Sequence, residues 1–401
     1  MRVDIDRLMG RIDQLAQIGA IEGTRGNSRL ALTDSDRDGR NLVRSWMEDL
    51  GLHVTVDAIG NVVGCTHSDS ASSPPVMAGS HIDTVATGGR YDGVLGVLAG
   101  LEVIECLQGV ELKRPLAVGF FTDEEGSRFQ PDMLGSLVYV GGIPLAEALS
   151  ITDADSITVG DELDRIGYRG SAPIPGPVPH AFVELHIEQG PVLEAEGVTI
   201  GVVEGVQGIS WTELTIEGQS NHAGTTPMNM RRDPGVVAAR IAVAARETAH
   251  GNVATVGSIR FQPDLVNVVP AQVTMTLDLR HADETVLRTV EQEMFDFVDQ
   301  AARDEGVKVS TRQMARFEPV VFDTSVAQLI EDKAKALGLS TRRIASGAGH
   351  DAQMMARVCP TAMIFVPSVQ GLSHNPAEHT NQDDIEAGAN VLLATMAELA
   401  S

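Results

Sequence analysis

Between Leu52 and Thr122 the chain alternates short apolar runs with one long Gly-rich segment: LHVTVDA, NVVGC and PVMAGSH, then DGVLGVLAGLEVIECL, then LAVGFFT. The short runs read as buried strands and the long one as a helix joining two of them. That alternation predicts an α/β fold built on a mixed, mostly parallel sheet with covering helices. Ligands bind at the carboxyl ends of the strands in such sheets, and both GSHIDTV and FTDEEGS fall at such ends.

A chain of 401 residues exceeds one ordinary core, so two or three domains are expected at about 150 residues each. Hydrophobic content of 43% with 40 Gly and only 4% aromatics suits an α/β enzyme. A formal charge of -25 and a pI near 4.7 argue against nucleic acid or an anionic membrane as partner, and any anionic substrate would need a local cationic clamp. Cys65, Cys106 and Cys359 lie far apart with no CxxC pair, which suggests a reducing compartment. The N-terminal MRVDIDRLMGRIDQL has no apolar signal core, and no stretch reaches the roughly 18 apolar residues that span a bilayer. A cytoplasmic protein is expected.

Helical spacing links Ile5, Leu8, Ile12, Leu15 and Ile18, and a second helix is predicted through Leu42, Val43, Trp46 and Leu50. Residues 152–179, ending in GSAPIPGPVP, read as a surface excursion. From about Ile209 the pattern changes to strand (ISWTELTIEG), helix (DPGVVAARIAVAARETA), strand (VATVGSIRF), strand (AQVTMTLDLR), helix (ETVLRTVEQEMFDFVDQAAR) and strand (VKVSTRQM). This is the βαββαβ order of a ferredoxin-like α+β unit. Beyond Phe322 the first pattern resumes with TAMIFVP. The expected organisation is therefore one domain from 1–208 and 323–401, interrupted by an inserted domain at 209–322.

The chemistry concentrates at strand ends. In FTDEEGSRF, Glu124 and Glu125 follow an apolar run directly; the pair repels itself unless it lies in a solvated turn or beside a cation. His81 and Asp83 (GSHIDTV), Asp92 (GRYDGV), His186 (ELHIEQGP) and His374 (GLSHNPAEHT) occupy similar places. Each histidine alone is an ordinary polar residue, but together they point to a metal site. Two cations sharing a carboxylate need about six imidazole and carboxylate ligand atoms at a separation of about 3.5–4 Å. Asp92 can bridge, His81 and His186 complete one ion, and Glu125 with His374 the other. Neighbouring residues of an extended segment point to opposite sides, which leaves Glu124 to take a proton from an activated water and return it to the leaving nitrogen. Asp83 is expected either to accept the other ring N–H of His81 or simply to form a turn.

These segments, together with YDGVLGVLAG, NHAGTTPM, NVVP with a downstream DLR, SGAGHDA and LSHNPAE, resemble the dinuclear-metal aminoacylase and carboxypeptidase clan. Within it they look like the branch of N-carbamoyl-L-amino acid hydrolases, β-ureidopropionases and allantoate amidohydrolases, over nearly the whole chain. The resemblance implies a metallohydrolase domain with two divalent ions (zinc, manganese, cobalt or nickel) and an inserted lid that also forms a homodimer. It implies a small carboxylate substrate bearing a ureido group, cleaved at its C–N bond to amino acid, carbon dioxide and ammonia. Allantoate is the alternative substrate; β-ureidopropionase or acyl-amino acid and peptide hydrolysis fits less well, because peptidase relatives carry an acid where this chain has His186. The resemblance also implies that His222 polarises the scissile carbonyl and that Asn267 and Arg280 hold the substrate carboxylate, with Gln189 and Gly349 as further contacts. Read alone, Arg280 ends a strand and pairs with Asp278. His350 and His379 are expected at most to support ligands by hydrogen bonding. A non-catalytic sensor or scaffold would be expected to lack Glu124 or a ligand, and none is missing.

Overall fold

The computed structural model describes residues 1–66, 73–248 and 253–401; Ala249, the last residue of one expected helix, lies outside them. The chain divides into two units, Met1–Gly205 with Val321–Ser401, and Val206–Val320.

In the first unit the strands Leu116–Phe121, Val76–His81, Ala181–Ile187 and Thr361–Val366 lie side by side in that order, all parallel. All their residues are buried, which is why they read as unbroken apolar runs. Antiparallel neighbours extend the sheet: Val62–Cys65 and then His53–Val56 on one side, Ile200–Val206 on the other. Parallel strands deliver their carboxyl ends to a single edge. His81 ends one strand, His186 is next to last in another, Thr122–Glu125 follow a third, and the fourth runs into the loop that carries His374.

The helix Val94–Cys106 begins directly after Asp92 and Gly93. It lies close to the sheet because Gly96 and Gly100 carry no side chain. A Cβ would stand 2.6 Å from the Leu185 carbonyl oxygen at Gly96, and 2.8 Å from Val118 at Gly100. Leu95, Leu98 and Leu101 of this helix are fully buried, each contributing about 1.5–3 kcal/mol of burial. Asp92 is thereby fixed to a helix that cannot shift without opening the core.

The helix Asp34–Asp49 turns a different face inward from the one its apolar spacing predicts. Its buried residues are Asp36, Gly39, Arg40, Val43 and Met47. Arg40 Nε donates to Asp36 at 2.7 Å, Nη1 to the Gly60 carbonyl at 2.8 Å and Nη2 to Thr122 Oγ1 at 3.2 Å. The guanidinium also lies over the rings of Phe120 and Tyr168, at 5.6 and 5.4 Å. Apolar periodicity cannot reveal a buried arginine whose acceptors lie distant in sequence. The consequence is a polar clamp on Thr122, where the acidic loop begins. The 152–179 excursion holds a helix, Val159–Ile166, whose N-terminus the Thr158 side chain caps by accepting from Asp161 N–H; Gly167 ends it in the left-handed conformation.

In the second unit, Ile259–Gln262, Gln272–His281, Gly208–Glu217 and Lys308–Phe317 form an antiparallel sheet in that order, with Val253–Thr255 also paired to Gln272–His281. Alternation along Gln272–His281 sends Val273, Met275, Leu277 and Leu279 into one core with Ile241, Met294 and Val298 of two helices, Pro234–Thr248 and Glu284–Glu305. Asp278 and Arg280 therefore belong to the opposite face. No helix among the described residues is long and apolar enough to cross a membrane.

Candidate active site

Two buried histidines are oriented by main-chain carbonyls. His81 Nδ1 lies 2.9 Å from the Asp83 carbonyl oxygen and His186 Nδ1 lies 2.8 Å from that of Ile187. A carbonyl can only accept, so Nδ1 carries the proton and Nε2 the lone pair, which at His186 accepts from Gly93 N–H at 3.1 Å. Both Nε2 atoms face the same oxygen, Asp92 Oδ1, at 3.8 Å from His81 and 3.2 Å from His186. The other oxygen, Asp92 Oδ2, lies 3.6 Å from His374 Nε2, which is 3.1 Å from Glu125 Oε2. Ligand atoms of His81, Asp92 and His186 fall within 4.8 Å of one another, as do those of Asp92, Glu125 and His374. One carboxylate thus belongs to two groups, one oxygen toward each.

Glu124 stands outside both groups, with Oε2 3.3 Å from His81 Nε2. Burial pushes its carboxyl well above the usual range, and the charges of Asp351, Glu125 and Asp83 push it further. Glu125 is raised by burial as well, although His374 opposes the shift. So many buried acids repel one another, which nearby divalent cations would relieve.

Asp83 departs from the expectation that its side chain fixes the His81 tautomer. Its main-chain carbonyl accepts from the ring, and its carboxylate lies 3.9 Å away. That carboxylate accepts instead from the backbone N–H groups of Glu124, at 3.4 Å, and Glu125, at 3.3 Å. The turn after His81 places the carbonyl nearer the ring, and the side chain is left to hold the acidic loop. Asp123, Gln189 and His374 all take left-handed backbone conformations, with φ of 56°, 56° and 55°. Each costs of order 1–3 kcal/mol in a non-glycine residue and survives where surrounding contacts enforce it.

The turn carrying Asp92 has a partner that strand-end reasoning missed. Glu378 Oε1 accepts from Tyr91 N–H at 3.0 Å and Asp92 N–H at 3.2 Å. Ser373 Oγ donates to Asp92 Oδ2 at 2.7 Å, and Gln189 Nε2 donates to the same oxygen at 2.9 Å. Gln189, expected at the substrate, here supports Asp92. Gly93 has φ 66°, and a Cβ there would strike the His81 ring. The sequence signal for Glu378 was its place four residues after His374 in SHNPAE, but its contact lies 286 residues away.

His350 packs edge-on against the His186 ring at 4.5 Å, and its Nε2 lies 2.8 Å from Ser346 Oγ. It therefore buttresses His186 by ring packing, not by a hydrogen bond. His379 packs against Tyr91 at 6.0 Å. Gly349 precedes His350, and a Cβ there would stand 2.9 Å from Met133 Cε.

In the second unit, a two-stranded ribbon pairs His222 with Val268, and the Asn267 carbonyl accepts from Ala223 N–H at 3.0 Å. Gly224 N–H donates to His222 Nδ1 at 3.0 Å, so the ring proton resides on Nε2, a donor in an exposed side chain. Arg280 forms an ion pair with Asp278, Nη2 to Oδ2 at 2.9 Å, and lies 5.8 Å from the Trp211 ring. This is the pairing its strand-end position suggests by itself.

The donors fit divalent cations. They are imidazole and carboxylate, the Nδ1 protons of His81 and His186 are committed to main-chain carbonyls, and the carboxylate charges are mutually repulsive without a cation. His81, Asp92 and His186 would hold one ion; Asp92, Glu125 and His374 form the other group.

Residues 77–398 match the family described as Peptidase family M20/M25/M40. The chain is 41% identical to an N-carbamoyl-L-amino-acid amidohydrolase of Rhizobium meliloti, over 100% of this chain and 97% of that one. It is 34% identical to an allantoate deiminase of Arabidopsis thaliana, over 97% of this chain and 81% of that one. A hydantoinase/carbamoylase family amidase from Burkholderia multivorans matches in structure with a TM-score of 0.96 at 45% identity, covering 100% of this chain and 98% of that one. The chain belongs to peptidase family M20/M25/M40, and within it is similar to the N-carbamoyl-L-amino-acid amidohydrolases.

Proposed function

We propose that this protein hydrolyses the ureido C–N bond of N-carbamoyl-L-amino acids at a centre where His81, Asp92, His186, Glu125 and His374 would hold two divalent cations. The observation that carries this reading is the division of the Asp92 carboxylate, one oxygen toward His81 and His186 and the other toward His374 and Glu125. Similarity to amidohydrolases named for that substrate class supports it. When bound, the cations would supply Lewis acidity and a nucleophilic water at neutral pH.

The chain's own residues supply the proton transfers and the binding. Glu124 takes a proton from the attacking water as its oxygen bonds to the carbamoyl carbon. It then passes that proton to the substrate nitrogen as the C–N bond breaks. The amino acid leaves, and the carbamate left behind decomposes to carbon dioxide and ammonia. His222, protonated at Nε2, is suited to donate to the carbonyl oxygen as negative charge develops there. Arg280 has the fork geometry for the substrate carboxylate, with Asn267 and Gly349 as further contacts; binding would require exchange of its Asp278 partner. The second unit, whose strand order is that of a ferredoxin-like sheet, would act as lid and homodimer seam. Zinc, manganese, cobalt and nickel all suit the donors, and the thiols outside disulfides accord with a cytoplasmic setting.

Allantoate is a second reading, favoured by the similarity to a plant allantoate deiminase over 97% of this chain and 81% of that one. Ammonia release from metal-reconstituted protein, measured with a panel of N-carbamoyl-L-amino acids and with allantoate, separates the two. Turnover of the carbamoyl compounds is expected; silence on both would refute the hydrolase.

A further inference from the structure

Asp92 must aim two oxygens at two different groups, so its carboxylate needs both a fixed backbone and a fixed side-chain rotation. The loop 373–378 provides a contact for each. Glu378 is buried, and its Oε1 accepts both N–H groups of the Tyr91–Asp92 turn. Ser373 Oγ reaches Asp92 Oδ2 at 2.7 Å and Glu378 Oε2 at 3.4 Å, so one hydroxyl spans the two carboxylates. The opposing backbone has been cleared for this side chain. A Cβ at Gly89 would lie on the Glu378 carboxyl and 2.5 Å from its Cβ. The same loop carries His374, so it presents one ligand and orients the shared one.

We propose that Glu378 is a positioning residue, which holds the Asp92 turn so that each carboxylate oxygen faces its own ligand group. Glu378 itself reaches neither His81 nor Glu125 in this role; it acts through the peptide N–H groups and through Ser373. The inference rests on the metal-centre reading above but not on the identity of the substrate.

The test is metal affinity, read on apoprotein by competition with a chromophoric zinc chelator, with no substrate present. Glu378→Ala is expected to weaken binding roughly 10- to 100-fold, the usual effect of losing a residue that orients a ligand. Glu378→Gln keeps an oxygen acceptor for both N–H groups and a donor for Ser373, and is expected to recover most of that loss. Gly89→Ala leaves Glu378 chemically intact but displaces it, and should resemble Glu378→Ala. A merely structural role would lower the melting temperature of Glu378→Ala and leave its zinc affinity at the wild-type value, which would overturn the proposal. Should Glu378→Ala not fold, wild-type affinity in Gly89→Ala or in Ser373→Ala would overturn it equally. A wild-type protein that binds zinc but releases no ammonia would defeat the hydrolase reading while leaving this one intact.

Discussion

The two candidate ligand groups around Asp92 share a carboxylate and differ in almost everything else. His81 and His186 lie on central strands with side chains 1% and 0% exposed, while His374 sits on a loop, 52% exposed, in a left-handed conformation. The first group is fixed by the sheet ladder and by carbonyls that select the ring tautomer. The second depends on a loop held by side-chain contacts. Strand-borne ligands cannot relax without opening the core, whereas a loop-borne ligand can. The difference predicts a retentive half-site beside an exchangeable one.

Glu124 belongs to the retentive side, 3.3 Å from His81, and its loss should have the largest effect. Glu124→Gln is expected to lower kcat roughly 10²- to 10⁴-fold with metal content unchanged; near-normal turnover would remove Glu124 from the proton path. Next come the histidines. His186→Ala should abolish zinc retention at the buried group, whereas His374→Ala should keep one zinc per chain through gel filtration, as elemental analysis would show. Equal losses in the two variants would erase the proposed asymmetry. Replacing Arg280 by Ala removes a charged hydrogen bond worth roughly 1.5–3 kcal/mol, so KM should rise about 10- to 100-fold with little change in kcat. An unchanged KM would leave Arg280 a structural role, as in its pairing with Asp278. The smallest effect concerns exchange: brief chelation of wild-type protein should remove zinc in two phases, the faster one suppressed in His374→Ala.

Some of this was legible in the sequence for a physical reason. A fully buried parallel strand is an apolar run, so PVMAGSH and LAVGFFT announce both themselves and the polar residues that follow them. His81, Glu125 and His186 are visible because each lies at or just beyond the end of such a run, whereas Asp92 stands before a helix and His374 on a loop. What stays hidden is contact between distant segments. The inward face of Asp34–Asp49 depends on Arg40 meeting Gly60 and Thr122, and Glu378 acquires its role only by meeting the Tyr91–Asp92 turn. The division of Asp83, carbonyl to His81 and carboxylate to the Glu124–Glu125 backbone, is decided by a turn geometry that residue identity does not specify. Helix capping by Thr158 and Gly167 was readable in principle, since they are an ordinary start and an ordinary stop signal, but the proline-rich stretch beyond them obscured the short helix.

On the proposed reading, Asp92 lies between two cations. Anomalous diffraction at the zinc edge, from crystals of zinc-reconstituted protein, tests it directly. Two peaks about 3.5–4 Å apart, one beside His81 and His186 and the other beside Glu125 and His374, are predicted. A single peak, or any pair not straddling the Asp92 carboxylate, would contradict the account.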